Sequence, residues 1–191
     1  MNIVLASASP RRAELLRQYG LPFEVHAADI DETPYENEIA LDYVFRMALT
    51  KARVVAEQYS VDTVIIAADT VVCLGQNIMG KPKNQTDGES MLMQLSAKTH
   101  NVHTALAVFY QNDCQTEICS SEVTFRALSQ QEITHYWDTG EPSDKAGGYA
   151  IQGLAARFIQ NLQGSYSGVM GLPLFELDQL LLPISTPEEI K

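Results

Sequence analysis

Asp69 stands where a continuous apolar run, Val64-Ile65-Ile66-Ala67-Ala68, meets its first charge. A buried, unpaired carboxylate there costs on the order of several kcal/mol, so it needs a cation, a metal or a set of donors. At the carboxyl end of a sheet strand it reads as a general base or a metal ligand. Taken alone, it reads equally well as a strand-end carboxylate capping a turn. Glu32, in the acidic loop Asp29-Ile30-Asp31-Glu32-Thr33-Pro34, offers a second carboxylate. Two such groups suit Mg²⁺ or Mn²⁺, which prefer oxygen ligands and bring phosphates with them. Asp29 itself reads as part of a solvated turn.

The basic residues point to the same chemistry. Ser7-Ala8-Ser9-Pro10-Arg11-Arg12 follows the short apolar run Ile3-Val4-Leu5. Ser9 sits at an N-cap position and Pro10 at the first helical position. Two arginines in a first helical turn oppose the helix dipole unless an anion is bound. Backbone amides, hydroxyls and guanidiniums together form a receptor for phosphate groups. Lys51, Lys81 and Lys145 each read as solvated when taken singly, although Lys81 is fixed between Gly80 and Pro82. Gly147, Gly148 and Gly153 bracket Tyr149 to Gln152, and glycines there allow close backbone approach. The Gln152 amide offers a paired donor and acceptor for a base edge. No histidine has a metal-ligand spacing partner, and Ser7 and Ser9 lack a nucleophile-elbow pattern.

The elements that must position these groups can be read in order. Ile3 to Leu5 is a strand, followed by a helix that Gly20 stops. Pro22 to His26 alternates as a second strand. Ile39 to Gln58 is helical and carries Lys51; Val61 to Leu74 is the strongest strand and carries Asp69 and Thr70. Gly75 to Asn77 is a turn, Ile78-Met79 a short return strand, and residues 86–95 a helix. His103 to Tyr110 and Ile118 to Arg126 pair around Gln111-Asn112-Asp113. Ser129 to Trp137 is a helix with a capping box completed by Glu132. A strand near Arg157 to Asn161 and a helix from Pro173 to Leu182 follow, and a frayed tail starts at Pro183. This order predicts an α/β fold with a mixed sheet flanked by helices, a single domain over 1–191, and two lobes around a cleft.

Composition narrows the partners. The chain has 191 residues, 46% hydrophobic and 19% charged, with a formal net charge of −11. An acidic chain is a poor ligand for DNA or RNA polymers, whose binding depends on phosphate neutralisation. No apolar run reaches the length of a membrane span. Cys73, Cys114 and Cys119 form no metal-binding pair and no disulfide framework, which suits a reducing cytoplasm.

The ordered set of motifs resembles the Maf family of nucleoside triphosphate pyrophosphatases. The matching pieces are Leu5 to Arg12, Asp31-Glu32, Lys51-Ala52, Ala68-Asp69-Thr70-Val71, Gly80-Lys81-Pro82, Asp144 to Gly148, Tyr149 to Gly153 and Gly171-Leu172-Pro173. The resemblance implies a Maf/ITPase-like fold with an elongated, twisted sheet. It also implies hydrolysis of a nucleoside triphosphate to the monophosphate and pyrophosphate, with a divalent cation, Mg or Mn. On that basis Asp69 is the proton acceptor that activates water, and Glu32 and Asp69 are the metal carboxylates. Ser7, Arg11, Arg12, Lys51, Lys81 and Lys145 surround the triphosphate. Thr70 and Gln152 resemble the branch that acts on dTTP and UTP, in which Arg12, Thr70 and Gln152 help choose the base. A homodimer is implied as well. The alternatives are a pyrophosphatase for 7-methyl-GTP or ITP, and a nucleotide-binding regulator of cell division and septum formation.

Overall fold

The computed structural model describes residues 1–184. Seven strands form one mixed sheet in the order β2 (Glu24–Val25), β1 (Asn2–Leu5), β3 (Thr63–Leu74), β5 (Thr99–Tyr110), β6 (Asp113–Phe125), β7 (Ile159–Gln163), with β4 (Asn77–Met79) paired to β3. Strand β3 (Thr63–Leu74) is its axis. Along one edge it pairs with β5 (Thr99–Tyr110), antiparallel from Ile65 to Cys73. The other edge is shared. Strand β1 (Asn2–Leu5) runs parallel beside Thr63 to Ile66, and β4 (Asn77–Met79) folds back onto Val72 to Leu74. Neither pairing reaches residues 67–71, so the edge of β3 is open there.

Side chains alternate across a strand, and both faces of β3 are covered, which explains its continuous apolar character. Val64, Ile66, Ala68 and Val72 join the larger core with Leu15 and Leu16 of α1 (Pro10–Tyr19) and with Leu177 of α6 (Leu174–Leu181). Ile65, Ala67 and Val71 join a second core with Val44, Ala48, Ala52 and Val55 of α2 (Ala40–Ala56). Asp69 and Thr70 therefore face opposite sides, Asp69 toward α2 and Thr70 toward α1. No helix among the described residues is long and apolar enough to cross a membrane.

Several boundaries differ from the sequence-based expectation. The expected strand Pro22 to His26 shortens to β2 (Glu24–Val25), which pairs only with Val4 and Leu5 because β1 ends there. β5 starts at Thr99 and β6 (Asp113–Phe125) at Asp113, both earlier than predicted. Polar residues hid these starts: His100 is buried, whereas Thr99, Asp113, Gln115 and Glu117 lie on the exposed side of a paired hairpin. Its turn residues Gln111 and Asn112 have φ of 49° and 64°, the left-handed pair that matches strand twist. A 3₁₀ turn (Leu154–Phe158) precedes β7 (Ile159–Gln163), which displaces the strand expected near Arg157 to Asn161. Helix α5 (Tyr166–Met170) was not expected; it is one short turn capped by Ser165 on the Gly168 amide. Helix α3 (Gln85–Leu95) and helix α4 (Gln130–Asp138) lie where predicted, and α4 has the Ser129–Glu132 capping box. The frayed tail expected from Pro183 lies, from residue 185, outside the described residues.

Candidate active site

The open stretch of β3 floors a cleft of about 740 Å³. All ten residues singled out in the sequence line it: Ser7, Arg11, Arg12, Glu32, Lys51, Asp69, Thr70, Lys81, Lys145 and Gln152. They come from six separate stretches of chain, and the break between β1 and β4 brings them together.

On the α2 side, Lys51 Nζ lies 2.7 Å from Asp69 Oδ1 and 2.6 Å from Glu32 Oε1. Lys51 and Asp69 are each 7% exposed, so the charge of Asp69 is compensated inside the fold. Burial pushes the Glu32 carboxyl up, but Lys51, with Lys81 and Arg12 behind it, outweighs that and holds it below the ordinary glutamate value.

On the α1 side, Arg12 is held from three directions. Its Nε donates to Gly171 O at 2.8 Å, Nη1 to Ser7 Oγ at 3.3 Å, and Nη2 to Thr70 Oγ1 at 3.1 Å. Burial pulls the Arg12 guanidinium below its usual value, and the charge of Asp69 draws it back up. The start of α1 corrects one expectation. Ser9 occupies the N-cap position, but its side chain caps nothing. Ser7 Oγ instead accepts the Ser9 amide at 3.1 Å, so the earlier serine fixes the turn. Arg11 faces Asp144 at 3.9 Å, and Lys145 is hydrogen-bonded to the same carboxylate.

The loop bearing Gln152 is tied down by residues that sequence reasoning missed. Buried Tyr136 donates to Glu141 Oε1 at 2.7 Å and accepts the Ala150 amide at 3.2 Å. Glu141 Oε2 accepts the Leu154 amide at 3.0 Å. A Cβ on Gly153 would lie 2.3 Å from that oxygen, so only glycine fits there without displacement. Ahead of the loop, the Tyr149 hydroxyl bonds His100 Nε2 at 2.8 Å. Thr104, wholly buried on β5, was missed too; the only signal was a hydroxyl inside an apolar strand.

The donor set can be tested against a divalent cation. Among the described residues, no three His, Cys, Asp or Glu side chains converge as a metal cage. Glu32 and Asp69 present two carboxylates around one ammonium. That set is too sparse for an all-protein site. It fits Mg²⁺ or Mn²⁺, which use one or two carboxylates together with substrate phosphates and water.

The sequence and the fold are similar to those of known proteins. A family model described as "Maf-like protein" matches residues 2–184. A protein of Methylobacillus flagellatus named dTTP/UTP pyrophosphatase is 48% identical, over 94% of this chain and 91% of its own. One of the same name from Pseudoalteromonas atlantica is 46% identical, over 98% and 99%. Among solved structures, the Ham1 protein of Staphylococcus aureus superposes with a TM-score of 0.57 at 12% identity, covering 97% of this chain and all of its own. A HAM1 protein from Coxiella burnetii gives 0.53 at 20% identity, covering 96% and 99%. These two share the fold. With the family model covering nearly the full length and relatives close to half identical, the chain belongs to the Maf family.

Proposed function

We propose that this protein hydrolyses dTTP and UTP to the nucleoside monophosphate and pyrophosphate, clearing nucleotide pools. The observation that carries the reading is the pair of carboxylates, Asp69 and Glu32, held on buried Lys51 in a cleft that also contains Arg11, Arg12, Lys81 and Lys145. The names of the relatives support the choice of nucleotides.

Asp69 accepts the proton of a water as it attacks the α-phosphorus. The new bond joins that oxygen to the α-phosphorus, and the bond to the bridging oxygen breaks, releasing pyrophosphate. Lys81, Lys145 and Arg11 offset the charge that gathers on the leaving group. Lys51 holds Asp69 in position, its Nζ 2.7 Å from Oδ1. Ser7 and Arg12 hold the turn on which the phosphates rest. Glu32 and Asp69 would hold the divalent cation, which neutralises phosphate charge and lowers the pKa of bound water. On the far side of β3, Arg12 and Thr70, with Gln152 across the cleft, face the base.

The same reading places the protein in the cytoplasm, where nucleotide pools reside, as a homodimer. Exposed Ile118 on β6, Tyr166 on α5 and Phe175 on α6 offer apolar surface for a second copy. The test of function is pyrophosphate release from dTTP, UTP, CTP, ITP, dGTP and 7-methyl-GTP, with Mg²⁺, with Mn²⁺ and with chelator. Metal-dependent turnover led by dTTP and UTP is expected. Preference for ITP or 7-methyl-GTP would discard the base choice. Nucleotide binding without turnover on any of them would replace the enzyme with a regulator.

A further inference from the structure

Thr70 stands in a chain of three hydrogen bonds that runs from Arg12 through Thr70 and Thr104 to Gly168, and the direction of each can be worked out. Thr104 Oγ1 lies 2.7 Å from the carbonyl oxygen of Gly168 on α5. A carbonyl only accepts, so the single hydroxyl proton of Thr104 is spent there. Thr104 is fully buried, and no water replaces that bond at low cost. The hydroxyls of Thr70 and Thr104 are 2.9 Å apart. Thr104 has no proton left for this contact, so Thr70 donates. On its other side Thr70 Oγ1 accepts from Arg12 Nη2 at 3.1 Å. Its proton and one lone pair are thus committed. What Thr70 offers the cleft is its remaining lone pair.

We propose that Thr104 is a specificity-determining residue: by fixing the polarity of Thr70, it makes this point of the cleft an acceptor that selects a base bearing a ring N–H. The inference rests on the dTTP/UTP reading above. Thymine and uracil carry an N–H between two carbonyls. Cytosine has an unprotonated ring nitrogen at the same place and an amino group beside it. Arg12 supplies the complementary donors. Its guanidinium has five N–H groups, of which three are used by Gly171, Ser7 and Thr70. A donor beside an acceptor matches the carbonyl and N–H of the uracil edge and opposes both groups of cytosine. Thr104 touches no substrate; it acts through Thr70 and is a positioning residue.

The test compares kcat/KM for UTP, CTP and N3-methyl-UTP in the wild-type protein, Thr104→Val and Thr104→Ser. Thr104→Val removes the acceptor for the Thr70 proton, which is then free to turn to the cleft. The UTP-to-CTP preference of that variant should narrow by about tenfold or more, the worth of one reversed hydrogen bond. Thr104→Ser keeps the hydroxyl and should keep the wild-type ratio. The wild-type protein should reject N3-methyl-UTP. A Thr104→Val protein that turns over UTP with an unchanged ratio overturns the relay. Should Thr104→Val not fold, wild-type turnover of N3-methyl-UTP equal to that of UTP overturns it. Failure of the relay leaves UTP turnover intact. Absence of UTP turnover in the wild type instead removes the functional reading, and the relay with it.

Discussion

Lys51 Nζ bridges Asp69 and Glu32, 2.7 Å from one carboxylate and 2.6 Å from the other. The three residues come from α2, β3 and the acidic loop, and one ammonium sets the spacing of the two acids. Asp69→Asn preserves volume but removes the base. Its kcat should fall by about 10²–10⁴, the usual worth of a positioned general base, with nucleotide binding retained. Titration with nucleotide and steady-state pyrophosphate release measure the two parts separately.

Removing the bridge should damage the fold itself. Lys51→Met strands the buried charge of Asp69, and breaking a buried pair costs about 3–5 kcal/mol. Urea unfolding at neutral pH reads the loss. A double variant, Lys51→Met with Asp69→Asn, should recover a large part of it, because no uncompensated charge remains.

Glu32 is half-exposed and kept ionised by Lys51. Glu32→Gln should raise the Mg²⁺ concentration needed for half-maximal turnover by at least about tenfold, the range for altered metal-site groups. An unchanged requirement would remove Glu32 from the metal site.

His100 gives a pH prediction with a definite sign. Burial pushes its imidazole down from the usual 6.5 to about 4, and Nδ1 has no hydrogen-bond partner. Between those values the unfolded chain binds a proton that the folded chain refuses. Stability therefore falls as pH drops below 6.5 and stops falling from this source below about 4. The loss amounts to about 3 kcal/mol at most. Urea unfolding between pH 7 and pH 4 should show a flatter profile for His100→Gln than for the wild type.

Gly153 packs against the Glu141 carboxylate. Gly153→Ala should cost about 1–3 kcal/mol by overpacking, and should also loosen the loop that carries Gln152. A lower melting temperature together with a weaker preference among bases is expected. Lost stability with unchanged preference would separate this loop from base choice.

The sequence was most informative where chemistry and chain order coincide. Asp69 was visible because a charge interrupts an apolar strand, and the ten cleft residues were visible as ordered motifs. The supports of the cleft were not. Thr104 meets Thr70 from 34 residues away, Tyr149 meets His100 from 49, and Arg12 meets Gly171 from 159. The first contact depends on strand register and the other two on how distant helices and loops pack, neither of which local patterning encodes. Ser9 shows the opposite error. Its position matched a capping rule, but Ser7 accepts the local amide instead. Helix α5 escaped notice because five residues around a glycine carry no helical periodicity.

The most direct test of the central claim is to run UTP hydrolysis in heavy-oxygen water and locate the label by mass spectrometry. Attack at the α-phosphorus, with Asp69 taking the proton, places the heavy oxygen in UMP and leaves pyrophosphate unlabelled. Label in pyrophosphate, or release of inorganic phosphate in its place, would contradict the account.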